Sequence, residues 1–271
     1  MRKRPSCSLI ITTYNTPDYL RLCLQSVLKQ QIMPSEVLIA DDGSTDETKQ
    51  VINEIAATSP VPIIHVWQPD EGFRAGAIRN KAIAKSSGEY IIDIDGDVLL
   101  HKYFIRDHLC FAQHGTLIAG SRVLLTPAFT EKYKNGKTHF PSFYSAAVKN
   151  RIYAVHCLPL AKLNYCIRRS KHSYLYVMSC NMAFWKDDVL CINGYNEAFR
   201  GWGKEDNDLA LRFMNNNVKL RFLQYHAIIF HLYHPENDRS RLSINTQLFC
   251  ESIQNKTTYI EQGIDKHTPE S

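Results

Sequence analysis

The segment from Gly201 to Asp208 combines an aromatic ring, glycines and several carboxylates. It places Trp202 between two glycines and follows this ring with Glu205, Asp206 and Asp208. The indole offers a flat surface against which a sugar ring can pack, and a neighbouring carboxylate can accept a proton from an attacking hydroxyl. Negative charge is also favoured at the N-terminus of a following helix. We expect one of the acids to stabilise that helix while another points into a site.

A second acidic group, Asp95-Gly96-Asp97, follows an apolar strand earlier in the chain. Hard divalent cations such as Mn²⁺ or Mg²⁺ take oxygen ligands and keep waters or phosphate oxygens beside one or two carboxylates. Acidic residues around a glycine also form ordinary polar turns. The position at the end of a buried strand favours a metal site over such a turn.

Two histidines, His231 and His234, follow the last apolar strand and could supply a nitrogen ligand to the same cation. A neutral imidazole is a common metal ligand, although a histidine in a tight turn is more often structural. The residues alone do not decide between the two. A metal-binding turn together with a remote carboxylate that takes up a proton predicts group transfer from a phosphorylated donor.

Alternating strands and helices in the first part of the chain must position the acidic turns. Thr16 and Pro17 supply an N-cap and an N1 proline for the first helix, and the segment from Ser44 to Glu47 has the spacing of a capping box for the second. The predicted strands cover residues 8–14, 36–40, 62–67 and 88–92, and the predicted helices cover residues 17–30, 48–57 and 75–86. This alternation predicts an α/β fold with a Rossmann-like, mostly parallel sheet and helices on both faces.

In such sheets ligands bind beyond the carboxyl ends of the strands. Three polar turns lie at those ends, at residues 14–15, 41–42 and 95–97. One crevice could therefore contain all three. Arg74, Arg79 and Asn80 lie at the start of the third helix, where they could face a diphosphate or hold the acidic loops in place.

The alternation ends after Ser121. Residues 122–175 carry several prolines and a glycine among basic and aromatic residues, and we interpret them as an irregular or helical insertion rather than further sheet. Beyond this insertion the pattern predicts strands at 181–184, 220–223 and 227–230, with helices at 187–191 and 208–215. The polar chain after Arg241 predicts a helix and a frayed tail.

Composition describes an ordinary globular protein of 271 residues with 44% hydrophobic and 22% charged residues. No apolar run approaches the roughly 18 residues that span a membrane, so we expect a cytoplasmic protein, with peripheral attachment to the inner face of the membrane left open. The eight cysteines form no C-x-x-C pair, which argues for reduced thiols and against structural zinc. The phosphate-binding patterns G-x-G-x-x-G and G-x-x-x-x-G-K-[ST] are absent from the sequence, which argues against a hydride-transfer enzyme or an ATPase.

A basic and aromatic stretch occupies the insertion. Its cations are interleaved with tyrosines, and its members are Lys149, Arg151, Tyr153, Lys162, Tyr165, Arg168, Arg169, Lys171, Tyr174 and Tyr176. A solvated face explains the stretch most simply, although nucleic acid, an anionic membrane surface or a charged glycan could also bind it. We assign no function to the stretch by itself, and for the protein as a whole we expect no nucleic-acid partner.

Three segments, Leu9–Asn15, Val37–Asp46 and Ile94–Asp97, resemble the N-terminal half of the family 2 glycosyltransferases, which have the GT-A fold. The later segments 193–197 and 201–208 resemble the acceptor half of β-1,4-galactosyltransferases and bacterial chondroitin polymerases. The resemblance covers residues 6–240 except the insertion. It implies a nucleotide-sugar-binding half at 1–121, an insertion at 122–175, an acceptor-binding and catalytic half at 176–240, and a C-terminal helix and tail at 241–271.

The resemblance also implies an inverting, metal-dependent transfer of a sugar from a nucleotide diphosphate donor, most often a UDP-sugar. It assigns nucleotide contacts to Thr13, Tyr14, Asp42, Arg74 and Asp95. It assigns the metal to Asp97 and Asp95 with His234, and with His231 as the alternative. It makes Asp206 the catalytic base and Glu205 its acidic neighbour, and it places Trp202 and Gly203 at the acceptor.

Lys204 departs from the family pattern, because the relatives commonly have glycine at this position. The resemblance therefore implies a glycan or lipid-linked saccharide acceptor, as in bacterial surface polysaccharide synthesis, without identifying the sugar. A sugar-phosphate nucleotidyltransferase is an alternative, although a glycine-rich, arginine-containing loop is missing near the N-terminus of the sequence. A non-catalytic glycan-binding or scaffold subunit is the third hypothesis, and retention of both Asp97 and Asp206 argues against it.

Overall fold

The computed structural model describes residues 4–145, 148–167, 172–235 and 238–267. Its strands are β1 (Cys7–Thr13), β2 (Glu36–Asp41), β3 (Ile63–Trp67), β4 (Tyr90–Asp95), β5 (Val98–Leu100), β6 (Thr116–Gly120), β7 (Arg122–Leu125), β8 (Val148–Lys149), β9 (Asn181–Trp185), β10 (Lys219–Leu223) and β11 (Ile229–His231). Its helices are α1 (Pro17–Val27), α2 (Asp46–Ala56), α3 (Ala75–Lys85), α4 (Phe104–Phe111), α5 (Pro127–Lys134), α6 (Leu158–Ile167), α7 (Lys186–Cys191), α8 (Glu205–Asn215) and α9 (Leu242–Gln254).

Seven strands form the main sheet in the order β10-β6-β9-β4-β1-β2-β3. All neighbouring pairs are parallel except those of β9, which runs antiparallel to both β4 and β6. The other four strands form a smaller sheet in the order β5-β11-β7-β8. The predicted α/β fold with a mostly parallel sheet is confirmed.

Helices cover both faces of the main sheet, as the apolar strand sequences predict. Strands buried on both faces read as nearly continuous apolar runs, and β1 is buried at Leu9, Ile10 and Ile11. Leu9 and Ile11 belong to a core shared with α1 and α2, whereas Ile10 belongs to a second core shared with α3 and α8. The sheet is thereby held rigidly between two apolar layers, and its carboxyl edge is left open.

Two local expectations about helix ends are wrong. The first helix ends at Val27 rather than near residue 30. The second begins after Thr45, whose side chain makes no capping hydrogen bond within the described part of the chain. The Ser44 hydroxyl, which the capping box required, instead accepts a hydrogen bond from the Asn15 backbone N–H at 2.8 Å. A contact between two loops thus takes the place of the local cap.

The segment 122–175 is not free of sheet, contrary to the sequence interpretation. It contributes β7 and β8 to the smaller sheet. It also contains the helices α5 and α6. Val123 and Leu125 pack with Leu99 and Phe230 in a third apolar cluster. The two strands are too short to show a period in the sequence, which explains the error. Arg168, Arg169 and Lys171 of the basic stretch lie outside the described residues.

The smaller sheet brings β11, which lies late in the chain, next to the acidic turn. Strand β11 pairs antiparallel with β5 and sets His231 opposite Val98. The Leu232 N–H then donates to the Asp97 carbonyl at 2.9 Å. Among the described residues, none of the helices has the length and apolar character needed to cross a membrane.

Candidate active site

A cleft of about 700 Å³ lies at the carboxyl ends of β1, β2 and β4, where the sequence predicted it. The predicted residues that line it are Thr13, Tyr14, Asp42, Asp95, Asp97, Trp202, Glu205, His231 and His234. An adjoining cavity of about 580 Å³ is lined by Gly203 and Asp206 and shares Asp95, Trp202 and Glu205 with the first. The two acidic segments therefore face one continuous space.

Asp97 lies against both predicted histidines. The Asp97 carboxylate is 3.0 Å from His234 Nε2 and 3.6 Å from His231 Nε2. The Nδ1 atoms point the other way, to the Leu232 and Pro235 carbonyls at 2.9 and 2.6 Å. Both Nε2 atoms are thus directed at the same carboxylate, and one ligand atom of each residue lies within 4.8 Å of the others.

Electrostatics at this trio favour a cation. Burial opposes the charge of Asp97, but His231 and the hydrogen bond with His234 hold the pKa of Asp97 below its ordinary value. The same hydrogen bond raises the pKa of His234 to about 9. Asp97 Oδ1 is buried and has no hydrogen-bond partner among the residues that the structure describes. A divalent ion fits here, because it would satisfy that oxygen and take the place of the histidine proton.

Asp95 is fixed by a buried arginine of α3. Arg79 Nη2 lies 2.7 Å from Asp95 Oδ1, and Arg79 Nε lies 3.5 Å from Asp93 Oδ2. Burial raises the pKa of Asp93 to about 6, and it raises the pKa of Asp95 as well, although Arg79 opposes both shifts. Arg79 thus holds the acidic strand end, which is one of the two roles that the sequence left open, and it also lines the cleft.

The Asn193–Glu197 segment also contacts the end of β4, through Tyr195. The Tyr195 hydroxyl donates to Asp93 Oδ2 at 2.7 Å. Asn80 clamps the segment, since its side chain accepts from Tyr195 N and donates to Tyr195 O, both at 2.8 Å. This segment therefore positions the site without lining the cleft.

Asp42 occupies the predicted nucleotide side of the cleft. It accepts from the Arg74 backbone N–H at 2.7 Å and from Gln68 Nε2 at 2.6 Å. Burial raises the pKa of Asp42 despite these bonds. The guanidinium of Arg74 turns away, bonding to the Pro69 carbonyl at 2.8 Å and pairing with Glu71 at 2.8 Å. The structure does not bring the Arg74 side chain into the cleft.

Helix α8 begins at Glu205 rather than at Asp208, so all three acids after Trp202 lie in its first turn. Their environments nevertheless differ. Asp208 is fully buried and pairs with Arg212 of the same helix at 2.8 Å, so it stabilises the fold. Asp206 lies in the adjoining cavity and accepts backbone N–H groups of Ser179 at 3.2 Å and Asn207 at 2.7 Å.

Glu205 is 7% exposed and accepts the Gly203 N–H at 3.1 Å. Burial, together with the neighbouring Asp206, raises the pKa of Glu205 to about 7. Burial likewise raises the pKa of Asp206. A carboxylate with a raised pKa is a better proton acceptor, so either acid could act as a base on chemical grounds. The two backbone donors hold Asp206 in one orientation in the cavity.

The loop that carries Trp202 needs both of its glycines. Gly201 and Gly203 have φ angles of +75° and +107°, and a Cβ on Gly203 would lie 2.9 Å from Leu242 Cδ1. Buried Asn245 of α9 donates to the Gly203 carbonyl at 3.0 Å. The Arg239 guanidinium lies 4.9 Å above the Trp202 ring. Sequence reasoning missed Asn245 and Arg239, because nothing in their local sequence marks them.

Three further residues line the site that the sequence did not assign to it. Arg122 and Ser179 line both cavities, and Lys149 lines the larger one. Lys149 was noted only as part of the basic stretch. Ser179 acts through its backbone N–H, which any residue type could provide. The cations Arg122 and Lys149 add positive charge on the side of the cleft that β7 and β8 form.

An open α/β sheet with an acidic turn at the end of β4 and a carboxylate helix across the cleft defines the GT-A class. The model of "Glycosyl transferase family 2" matches residues 8–178, and that of the "N-terminal domain of galactosyltransferase" matches residues 166–235. The chain belongs to glycosyltransferase family 2. The resemblance stated from the sequence motifs is confirmed.

Curated relatives match the chain in part. The chain is 38% identical over 94 residues to the "Putative glycosyltransferase EpsH" of Bacillus subtilis, covering 34% of this chain and 26% of that protein. It is 22% identical over 274 residues to the chondroitin synthase of Escherichia coli, covering 96% of this chain and 39% of that protein. The chain thus spans less than half the length of either relative.

Solved structures share the fold. A mannosyltransferase, PcManGT from Pyrobaculum calidifontis in complex with GDP-Man and Mn²⁺, has a TM-score of 0.62 at 15% identity, covering 93% of this chain and 65% of that one. TarS 1-349 from S. aureus in complex with UDP-GlcNAc has a TM-score of 0.64 at 18% identity, covering 92% of this chain and 67% of that one. These likenesses confirm the GT-A fold.

Proposed function

We propose that this chain is an inverting, metal-dependent glycosyltransferase that moves a sugar from a nucleotide diphosphate donor, a UDP-sugar, to a hydroxyl of a glycan or lipid-linked saccharide. The observation that carries the proposal is the shared cleft. Asp97 with His231 and His234 lines one part of it, Asp206 lines the other, and Asp95 and Glu205 belong to both.

The donor would lie along the carboxyl ends of β1 and β2. Asp42 and the Thr13-Tyr14 backbone line that part of the cleft and would contact the nucleoside. Asp97 and His234 would hold the metal ion, with His231 and Asp95 beside them. A bound Mn²⁺ or Mg²⁺ would neutralise the diphosphate as it leaves. Arg122 and Lys149 would add positive charge on the same side.

Transfer would follow from the position of Asp206. The acceptor hydroxyl, packed beside Trp202, attacks the anomeric carbon on the face opposite the diphosphate. Its oxygen forms the new bond while the bond to the diphosphate oxygen breaks, and Asp206 takes the proton. One displacement of this kind inverts the anomeric configuration.

The names of the relatives support a polysaccharide product. Besides the chondroitin synthase, they include the "Putative teichuronic acid biosynthesis glycosyltransferase TuaG" of Bacillus subtilis, which is 34% identical over 94 residues. We therefore place the reaction in bacterial surface polysaccharide synthesis. Peripheral contact with the inner face of a membrane is part of this proposal, because a lipid-linked acceptor would be presented there.

The test measures release of nucleotide diphosphate from a panel of UDP-, GDP- and dTDP-sugars, with Mn²⁺ or with chelator. Metal-dependent release from one donor, lost in Asp97→Asn, supports the proposal. Release of pyrophosphate from sugar phosphate and nucleoside triphosphate would instead identify a nucleotidyltransferase. Sugar binding without release of either product, even with glycan acceptors added, would identify a binding subunit.

A further inference from the structure

A second group of metal-ligating side chains lies where α4 meets the smaller sheet. His101 directly follows β5, Asp107 lies in α4, and His156 precedes α6. One ligand atom of each of the three lies within 4.8 Å of the others. None of these three residues lines the cleft or the adjoining cavity. The group, called here the His101 cluster, is therefore separate from the proposed active site.

The carboxylate of the cluster is held in place by the surrounding fold. Asp107 is 1% exposed, and its Oδ2 lies 3.1 Å from the donating Ala227 N–H and 2.7 Å from His156 Nε2. Arg106 Nη2 donates to the other oxygen at 3.0 Å. Metal-binding carboxylates are typically oriented by hydrogen bonds of this kind from outside the coordination sphere.

The imidazole of His101 has an unused nitrogen. Its Nδ1 is buried and lacks a hydrogen-bond partner among the described residues. Buried polar atoms without partners are uncommon in folded proteins, and an ion bound here would satisfy this one.

Two further imidazole contacts surround His156. The His156 ring stacks on His101 with centroids 5.0 Å apart and on His226 with centroids 4.1 Å apart. The His226 ring is nearly parallel to the His156 ring, at 12°. His226 Nε2 lies 4.0 Å from Asp107 Oδ1, so a third imidazole borders the cluster.

We propose that His101, Asp107 and His156 bind a divalent transition-metal ion, with Zn²⁺ the best match to the donors. Zinc takes imidazole nitrogens and a carboxylate oxygen in tetrahedral sites, with water as a fourth ligand. The cysteine spacing that argued against structural zinc does not bear on this cluster, which contains no thiol. The ion would join the end of β5, α4 and the loop before α6.

Equilibrium dialysis against Zn²⁺ or Co²⁺, followed by elemental analysis, tests the site in the full chain. The cleft also offers two histidines and an aspartate, so His231→Gln with His234→Gln is used to remove that site. We expect two ions per parent chain, one in this cleft variant, and none when His101→Gln and His156→Gln are added. Visible absorption of bound Co²⁺ in the cleft variant should show tetrahedral coordination.

The control is His139→Gln, because His139 is exposed and belongs to neither cluster. This variant should bind as many ions as the parent. Failure of the cleft variant to bind any ion would overturn the proposal. An ion count that does not change when His101 and His156 are replaced would also overturn it.

The single variant His156→Gln guards against misfolding, since the His156 side chain is 23% exposed and tolerates exchange better than Asp107. Zinc should raise the melting temperature of the cleft variant and should not do so once His156→Gln is added. An undiminished zinc-dependent rise would count against the site. These experiments measure ion binding and thermal stability rather than sugar transfer. A negative result would therefore overturn the metal site without bearing on the proposed function.

Discussion

At the scale of single residues, the two neighbouring acids at the start of α8 differ in what surrounds them. Asp206 receives backbone N–H groups from Ser179 and Asn207, whereas Glu205 accepts the N–H of Gly203. Hydrogen bonds to the ionised form favour it. The bond from Ser179 ties Asp206 to a separate segment of the chain, which orients this carboxylate for the acceptor hydroxyl of the proposed reaction.

Asp206→Asn should lower transfer by about 10²–10⁴-fold and leave donor binding nearly unchanged, since the amide cannot accept the proton. Steady-state transfer and nucleotide-sugar titration measure the two effects. Asp187→Asn is a matched control, because Asp187 is an exposed acid in the first turn of α7. Transfer at the parent rate by the Asp206 variant would disprove the assignment of the base.

Glu205→Gln should change stability in a pH-dependent way. Burial raises the folded-state pKa of Glu205 from 4.5 to about 7, so its favourable contribution is complete below pH 4.5 and is lost as the pH rises through about 7. The variant should therefore gain stability over the parent at pH 8, by up to about 3 kcal/mol, and little at pH 5. Urea unfolding with chelator present measures this difference.

Glu197→Gln supplies a control of opposite sign. Although burial opposes it, hydrogen bonds from His267 and Asn80 keep the pKa of Glu197 below its ordinary value. The contribution of Glu197 is therefore present at neutral pH and is lost as the pH falls through its lowered folded pKa. This variant should lose stability at pH 8. A stability change of the same sign in both variants would contradict the account.

At the scale of elements, the loop entering α8 is held in an unusual backbone conformation. Lys204 is the N-cap of the helix with φ +77° and ψ −12°, in the left-handed region. Side chains with a Cβ are strained there by roughly 1–2 kcal/mol, and glycine is not. Lys204 also lines the adjoining cavity, and its Nζ lies 5.8 Å from the Phe249 ring. Lys204 thus has a strained backbone conformation and lies beside the cavity in which we propose that the acceptor binds.

Lys204→Gly should be more stable than Lys204→Ala by about 1 kcal/mol, because both variants lose the ammonium and only glycine relieves the strain. Thermal unfolding of the two variants measures the difference. If lysine selects the acceptor, both variants should also shift acceptor preference equally. Equal stability of the two variants would show that the loop relaxes out of the left-handed region.

Arg79 is the contact through which α3 supports the end of β4. Arg79→Gln should reduce stability by about 3–5 kcal/mol, because it leaves Asp93 and Asp95 buried without their cation. Arg74→Gln is the control on the same helix end, since its guanidinium bonds to the Pro69 carbonyl and pairs with Glu71, whose side chain is 59% exposed. A surface pair of this kind contributes about 1 kcal/mol or less. Similar losses in the two variants would contradict the role of Arg79.

At the scale of the whole molecule, the repeated alternation of strands and helices could be predicted from the sequence. Contacts between residues far apart in the chain could not. The alternation of apolar runs predicted six strands of the main sheet and missed β6, and the acidic turns were correctly placed at the carboxyl edge of the sheet. In the smaller sheet the strand at 227–230 corresponds to β11, whereas β5, β7 and β8 were missed because they have two to four residues each. Asn245 and Arg239 were missed because their role depends on where α9 and the loop before it pack.

The pairing of β11 with β5 has a consequence for synthesis of the chain. Asp97 emerges from the ribosome long before His231 and His234, and the Asp206 carboxylate is made between them. A nascent chain that has folded its first four strands therefore exposes an acidic strand end with no histidines beside it. Capacity to hold the metal as proposed would arise only once β11 has docked, so an incomplete chain would not consume nucleotide sugar.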